Sequence, residues 1–139
     1  HSIRRRQRQM CIRDSLGSPL ITACANPLAN NSYNSGVDKY EQGDYQGAIA
    51  DFTKVIEIYP QNADAYNNRG TAKDVLEDYQ GAIADFSKAI EINPEYANAY
   101  VNRGVVRERA SDLEGACRDW RKAVDLGDER PAEWVKKQC

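Results

Sequence analysis

Apolar and small residues recur along this chain at helical spacing, and they do so twice within every 34 residues. In residues 63–96 a first amphipathic stretch runs from about residue 63 to residue 76, with Ala65, Tyr66, Gly70 and the 73–75 segment along one face. The glycine in it allows another helix to approach closely. A second stretch places Ala82, Ile83, Phe86, Ala89 and Ile90 on one stripe, three and four residues apart. That is the mark of a helix with one buried side. Glu77 and Asp78 fall between the two, and Asp78 is suited to cap the second helix. Pro94 then ends it, because proline offers no N–H and disfavours a helical Asn93. The pattern predicts two helices per period, joined by a tight turn, and an all-α chain.

Shifted by 34 residues, the chain matches itself. Asp44-Tyr-Gln-Gly-Ala-Ile-Ala-Asp-Phe52 returns as Asp78-Tyr-Gln-Gly-Ala-Ile-Ala-Asp-Phe86, and again, diverged, as Asp112-Leu-Glu-Gly-Ala-Cys-Arg-Asp-Trp120. Gly36, Gly70 and Gly104 keep step, as do Ala48, Ala82 and Ala116, and Lys54, Lys88 and Lys122. The period divides the chain into repeats at 29–62, 63–96 and 97–128, followed by residues 129–139. In that tail Pro131 suits the first turn of a helix, and Trp134 and Val135 can cover the last repeat while Glu133, Lys136 and Lys137 face water. Stacked repeats need such a cap, since each leaves an apolar face open.

The middle repeat, with Gly70, Tyr79, Ala82, Phe86, Ala89 and Pro94 at set offsets, resembles the tetratricopeptide repeat. The first repeat departs from the family pattern at Ser32, where a large aromatic is usual, and at Val55, where alanine is usual. The third has Asp128 in the proline phase. The Asn-Arg-Gly and Asp-Tyr-Gln-Gly-Ala-Ile wording is similar to that of small secreted bacterial proteins of this family. The resemblance implies a right-handed solenoid of three helix-turn-helix repeats with a C-terminal capping helix. It also implies a concave face, lined by the first helix of each repeat, that holds extended or helical peptide segments.

On that face the resemblance sets Tyr33, Asn34, Val37 and Tyr40, then Asn67, Asn68, Thr71 and Asp74, then Val101, Asn102, Val105 and Glu108. Asn34, Asn68 and Asn102 recur every 34 residues. A row of amides, each both donor and acceptor, could pair with a peptide backbone regardless of its side chains. The other reading is that these asparagines help the helices start or are simply solvated. Members of the family that bind chaperones hold a carboxylate with Lys, Asn, Asn, Lys and Arg. Those five positions carry Tyr33, Val37, Asn68, Asn98 and Asn102 here, so only Asn68 matches and the cations are missing. Capture of a chaperone's acidic tail is not expected.

Composition changes the picture chiefly at the N-terminus. The 139 residues carry 19 basic and 21 acidic side chains, yet five arginines, the only Met (Met10) and the only His (His1) lie in the first thirteen. This stretch reads as a basic arm for nucleic acid or anionic lipid. However, residues 5–14 resemble the in-frame translation of a transposase-type sequencing adapter, and residues 1–15 are set aside as adapter-derived. Setting aside their five Arg and one Asp leaves 14 basic and 20 acidic residues, a net charge of about −6. That balance speaks against a nucleic-acid partner.

The remaining chain has no His, which excludes Ser-His-Asp and Cys-His catalysis and the commonest zinc ligand sets. There is no glycine-rich phosphate loop and no metal cluster, so neither catalysis nor a cofactor is expected. No run of 18 apolar residues makes a transmembrane segment.

Residues 16–28 are read as the remnant of a signal peptide or a linker. Ala23-Cys24-Ala25 has the small-x-small form that signal peptidase accepts. Ile21-Thr-Ala-Cys24 resembles a lipobox, with Cys24 as the lipidated residue. Export to the periplasm or beyond follows from the first reading, a lipid anchor at Cys24 from the second, and a cytoplasmic protein from the third.

Cys117 and Cys139 lie at equal offsets from a turn near Asp128, which sets them side by side in an antiparallel helix pair. A disulfide is the expectation. The alternative is two thiols, with Cys117 filling the slot of Ile49 and Ile83. Arg69 and Arg103 are read as stacking between repeats with their guanidiniums paired to acids, or, more sharply, as an anion site. Asp44, Asp51, Asp78, Asp85, Asp112 and Asp119 are assigned to turns and solvated helix faces. The leading function is a non-catalytic scaffold that binds a segment of a protein partner. The alternative is an assembly element that self-associates through its open repeat faces.

Overall fold

The computed structural model describes residues 26–139. The expectations for the adapter-like residues 1–15, for the signal-like stretch up to residue 25 and for lipidation of Cys24 lie outside the described residues.

Seven helices follow one another among the described residues, and none is a strand partner: α1 Pro27–Glu41, α2 Tyr45–Ile58, α3 Ala63–Val75, α4 Tyr79–Ile92, α5 Ala97–Arg109, α6 Leu113–Asp125 and α7 Ala132–Gln138. Each packs chiefly on its neighbours in sequence, while α1 also touches α3 and α3 touches α5. That is an all-α solenoid, with α1, α3 and α5 as successive first helices. The first helix starts at Pro27, capped by Asn26, two residues ahead of the 29–62 boundary.

Local chemistry repeats with the period. Asp44, Asp78 and Asp112 cap α2, α4 and α6, each carboxylate accepting from the N–H of Gly47, Gly81 or Gly115. The residue immediately before each of the three capping aspartates, Gly43, Glu77 or Ser111, has a positive φ. The buried core is also periodic. Ala48, Phe52 and Val55 are matched by Ala82, Phe86 and Ala89, and by Ala116, Trp120 and Ala123.

The glycine expected to admit a neighbouring helix instead admits an aromatic ring. A Cβ on Gly70 would lie 2.9 Å from Phe86 Cε1, and Gly36 stands in the same relation to Phe52. Gly104 faces Trp120 yet more closely. Burying each ring is worth roughly 2–3 kcal/mol.

Three aspartates depart from expectation. Asp51, Asp85 and Asp119 are buried, not solvated. They sit beside the core aromatics on the second helices, where the first helices bring cations over them. At the C-terminal end, Trp134 of α7 packs on Trp120, with ring centroids 5.3 Å apart. A disulfide joins Cys117 to Cys139, with Cα atoms 5.7 Å apart, and fastens α7 to α6.

Candidate functional site

The faces of α1, α3 and α5 that no second helix covers form the concave side. Between α1 and α3, Val37, Tyr40, Glu41, Phe52, Asn68 and Thr71 enclose a pocket of about 200 Å³. Its walls are half-buried apolar and small polar side chains, with Glu41 as the charged residue of the lining. Thr71 donates its hydroxyl to the Asn67 carbonyl one turn back, which leaves its methyl group for the pocket.

Other residues set on this face behave differently. Asn34 is exposed and Val105 half-buried. Asn67 and Val101 are 3% and 4% exposed, so they lie beneath the surface and not in the groove. Both share the repeat position of Tyr33, and over Asn67 the following repeat closes through Asn102.

The amide row is real but largely committed. Asn68 Nδ2 donates to the Tyr33 hydroxyl at 2.9 Å, and Asn102 Nδ2 donates to Asn67 Oδ1 at 3.1 Å. Each bond joins one repeat to the one before it. Burial, then the nearby Asp64 charge, raises the Tyr33 pKa above the ordinary tyrosine value, and the bond from Asn68 opposes them.

A charged layer runs behind the concave face. Arg69 donates through Nε and Nη2 to Asp85 at 2.8 and 2.7 Å, and through Nη1 to Thr53 of the preceding repeat. Arg103 repeats this with Asp119 and Ser87. Lys73 and Arg107 add second cations to the two aspartates. The two arginines also lie over Tyr66 and Tyr100, at 5.4 and 5.7 Å from the ring centroids. The bonds to Asp85 hold the Arg69 pKa above its ordinary value. These arginines therefore tie repeats together, and no guanidinium edge is left as an anion site. In the first repeat Ser35 replaces the arginine, and Asp51 is met by Ser35, Lys39 and Lys54.

Sequence reasoning missed a larger feature. A cleft of about 820 Å³ opens at the edge of the groove, where the starts of α1 and α3 meet the α2–α3 and α4–α5 turns. Tyr33, Tyr59, Asp64 and Tyr96 line it together with Val55 and Ile58. The Tyr96 hydroxyl donates to Asp64 Oδ1 at 2.6 Å, and Tyr59 accepts from the Asn26 N–H. Burial, reinforced by the bond to Asp64, raises the Tyr96 pKa well above the ordinary tyrosine value. The signal available was a tyrosine near the proline of each inter-repeat turn, Tyr59-Pro60 and Pro94-Glu-Tyr96.

Among the described residues no cluster of His, Cys, Asp and Glu could hold a metal ion. None of their helices is long and apolar enough to cross a membrane.

Helices paired in tight hairpins and stacked at a fixed period define a helical-repeat solenoid. Family models carry the assignment further: the tetratricopeptide repeat matches residues 63–96, and a second model of the repeat matches residues 36–73. Between them the two models match residues 36–96 of the chain to tetratricopeptide repeats. Among solved structures, the first such domain of Spaghetti (RPAP3), bound to the HSP90 peptide SRMEEVD, is 27% identical, with a TM-score of 0.77 over 81% of this chain and 91% of that one. The Arabidopsis OM64 domain is 28% identical, with a TM-score of 0.76 over 80% and 93%. The first domain of human RPAP3 is also 28% identical, with a TM-score of 0.75 over 79% and 88%. A comparison with curated protein sequences finds no match.

Proposed function

We propose that this protein is a non-catalytic scaffold that binds a segment of a protein partner along the concave face of its three repeats. The pocket between α1 and α3 carries the reading: side chains from consecutive first helices enclose about 200 Å³ of largely apolar space that a partner's side chain can fill. The Spaghetti domain, of the same fold, is bound to a peptide. The ligand chemistry is expected to differ, because SRMEEVD is acidic while Tyr33, Val37, Asn98 and Asn102 stand here where chaperone binders place the other clamp residues, three of them cations.

We further propose that the protein works outside the cytoplasm, as one of the small secreted bacterial members of the family. The disulfide between Cys117 and Cys139 supports an oxidising compartment. So does the signal-like wording of residues 16–28.

Selection of a displayed 12-residue peptide library on the full chain tests the binding reading. Selected peptides should lose binding to Thr71→Trp, whose indole fills the pocket, while its melting temperature stays within a few degrees of the parent. Undiminished binding to that variant would remove the groove from consideration. Sedimentation tests the assembly alternative, which requires a dimer or larger species at micromolar concentration.

A further inference from the structure

We propose that the 820 Å³ cleft at the groove's edge is a site for a guanidinium or ammonium group, an arginine or lysine side chain of the bound segment. The source of that group rests on the groove reading; the chemistry of the cleft does not.

The cleft's size lies within the range of ligand sites, about 300–1,000 Å³. Its one charged lining residue is Asp64. Asp64 Oδ1 accepts the Tyr96 hydroxyl, and the carboxylate enters no ion pair among the described residues. Cations near the concave side are already matched within the chain. Arg109 pairs with Asp74, and Arg130 pairs with Asp128 while reaching Asn98. None of them lines the cleft, and the exposed Asp64 carboxylate has no cation of this chain beside it among the lining residues.

The neutral walls suit the same ligand. Val55, Ile58 and Pro60 offer an apolar surface for a methylene stem, which long cationic side chains bury while their charged heads stay polar. Tyr33 and Tyr96 flank Asp64 with aromatic rings, and such rings attract cations. A carboxylate hydrogen-bonded to a guanidinium supplies the strong, directional contact. The smaller pocket points the same way, since Glu41 is its charged lining residue. An anionic side chain would meet a carboxylate in either cavity.

The full chain with ¹³C-labelled tyrosine, titrated with N-acetyl-arginine amide, tests this directly. The Tyr33 and Tyr96 ring signals should shift and saturate. N-acetyl-norleucine amide should bind at least tenfold more weakly, and N-acetyl-glutamate should not bind there. Asp64→Asn keeps an acceptor for Tyr96, so the fold should persist by circular dichroism while arginine-amide affinity drops fivefold or more. Equal binding of the arginine and norleucine compounds, or unchanged affinity in Asp64→Asn, overturns the proposal. Peptide selection separates this from the groove reading. Peptides that need Thr71 but show no Arg or Lys preference would sink the cleft proposal and keep the groove. Arginine-amide binding with no selectable peptide would sink the groove and keep the cleft.

Discussion

Replacing Asp85 by Asn isolates the charged layer that ties the first helix of a repeat to its second. The carboxylate receives two bonds from Arg69 and one from Lys73, at 2.7–2.8 Å, and is 4% exposed. Removing one partner of a fully buried ion pair costs about 3–5 kcal/mol, because the remaining charge stays desolvated. Here the Arg69 and Lys73 side chains keep 17% and 21% of their exposure, so water recovers part of that loss. The expected destabilisation is about 2–3 kcal/mol. Asp51 is the matched control: it occupies the same repeat position, but its cations Lys39 and Lys54 are 37% and 61% exposed. Exposed pairs are worth little, so Asp51→Asn should cost roughly half as much or less. Urea unfolding at pH 7, followed by circular dichroism, compares the two through their midpoints at equal slope. An Asp51→Asn loss equal to that of Asp85→Asn would refute the reasoning, as would an Asp85→Asn loss below about 1 kcal/mol.

Four further outcomes follow from the geometry. Burial pushes the Asp51 pKa up, but the bonds from Lys39, Ser35 and Lys54 outweigh it and hold the group below its ordinary value. Its contribution is therefore present above about pH 4 and lost as pH falls through that lower folded value, so the gap between parent and Asp51→Asn urea midpoints should narrow as pH falls below about 4. A gap as wide at pH 2 as at pH 7 would contradict this. Cys139→Ser opens a disulfide spanning 22 residues, worth about 3 kcal/mol, and calorimetry should show a melting point roughly 10–15 °C lower. Glu77 and Ser111 hold positive φ where the first repeat has Gly43, so Glu77→Gly should raise stability by up to about 1 kcal/mol in urea unfolding. Gly70→Ala drives a methyl group against the buried Phe86 ring and should cost about 1–3 kcal/mol by the same assay.

The fold was legible because its determinants are local and periodic. Asp78 caps α4 where the pattern ends one helix and begins another, and Ala82, Phe86 and Ala89 fall on one buried stripe. Asp85 was not legible, because it is polar and sits one residue from Phe86, at the border of that stripe. Its burial depends on Arg69, a residue of another helix 16 positions away. The recurrence of that separation in Arg103 and Asp119 was the available signal. Asn68 and Asn102 were placed on the right helices, but a one-dimensional pattern cannot show that the preceding repeat supplies Tyr33 and Asn67 as their partners. The edge cleft was hidden for the same reason, since it gathers two helix starts and two turns from different repeats.

The ties that hold the array also set what it can bind. Arg69, Arg103 and Arg107 are turned toward Asp85 and Asp119, Arg109 toward Asp74 and Arg130 toward Asp128. Lys39 and Lys73 are held by Asp51 and Asp85. All of these but Arg130, whose bond to Asp128 is local, strengthen the contact between two helices, and each is withdrawn from a ligand by the same bond. What remains facing the two cavities is Glu41 and Asp64. A tetratricopeptide array that put those cations into its groove could clamp a carboxylate, but its repeats would need another cement. This chain puts arginine between repeats and leaves carboxylates at the ligand surface, so its shared backbone path predicts a bound segment, and its own side chains predict that segment's charge.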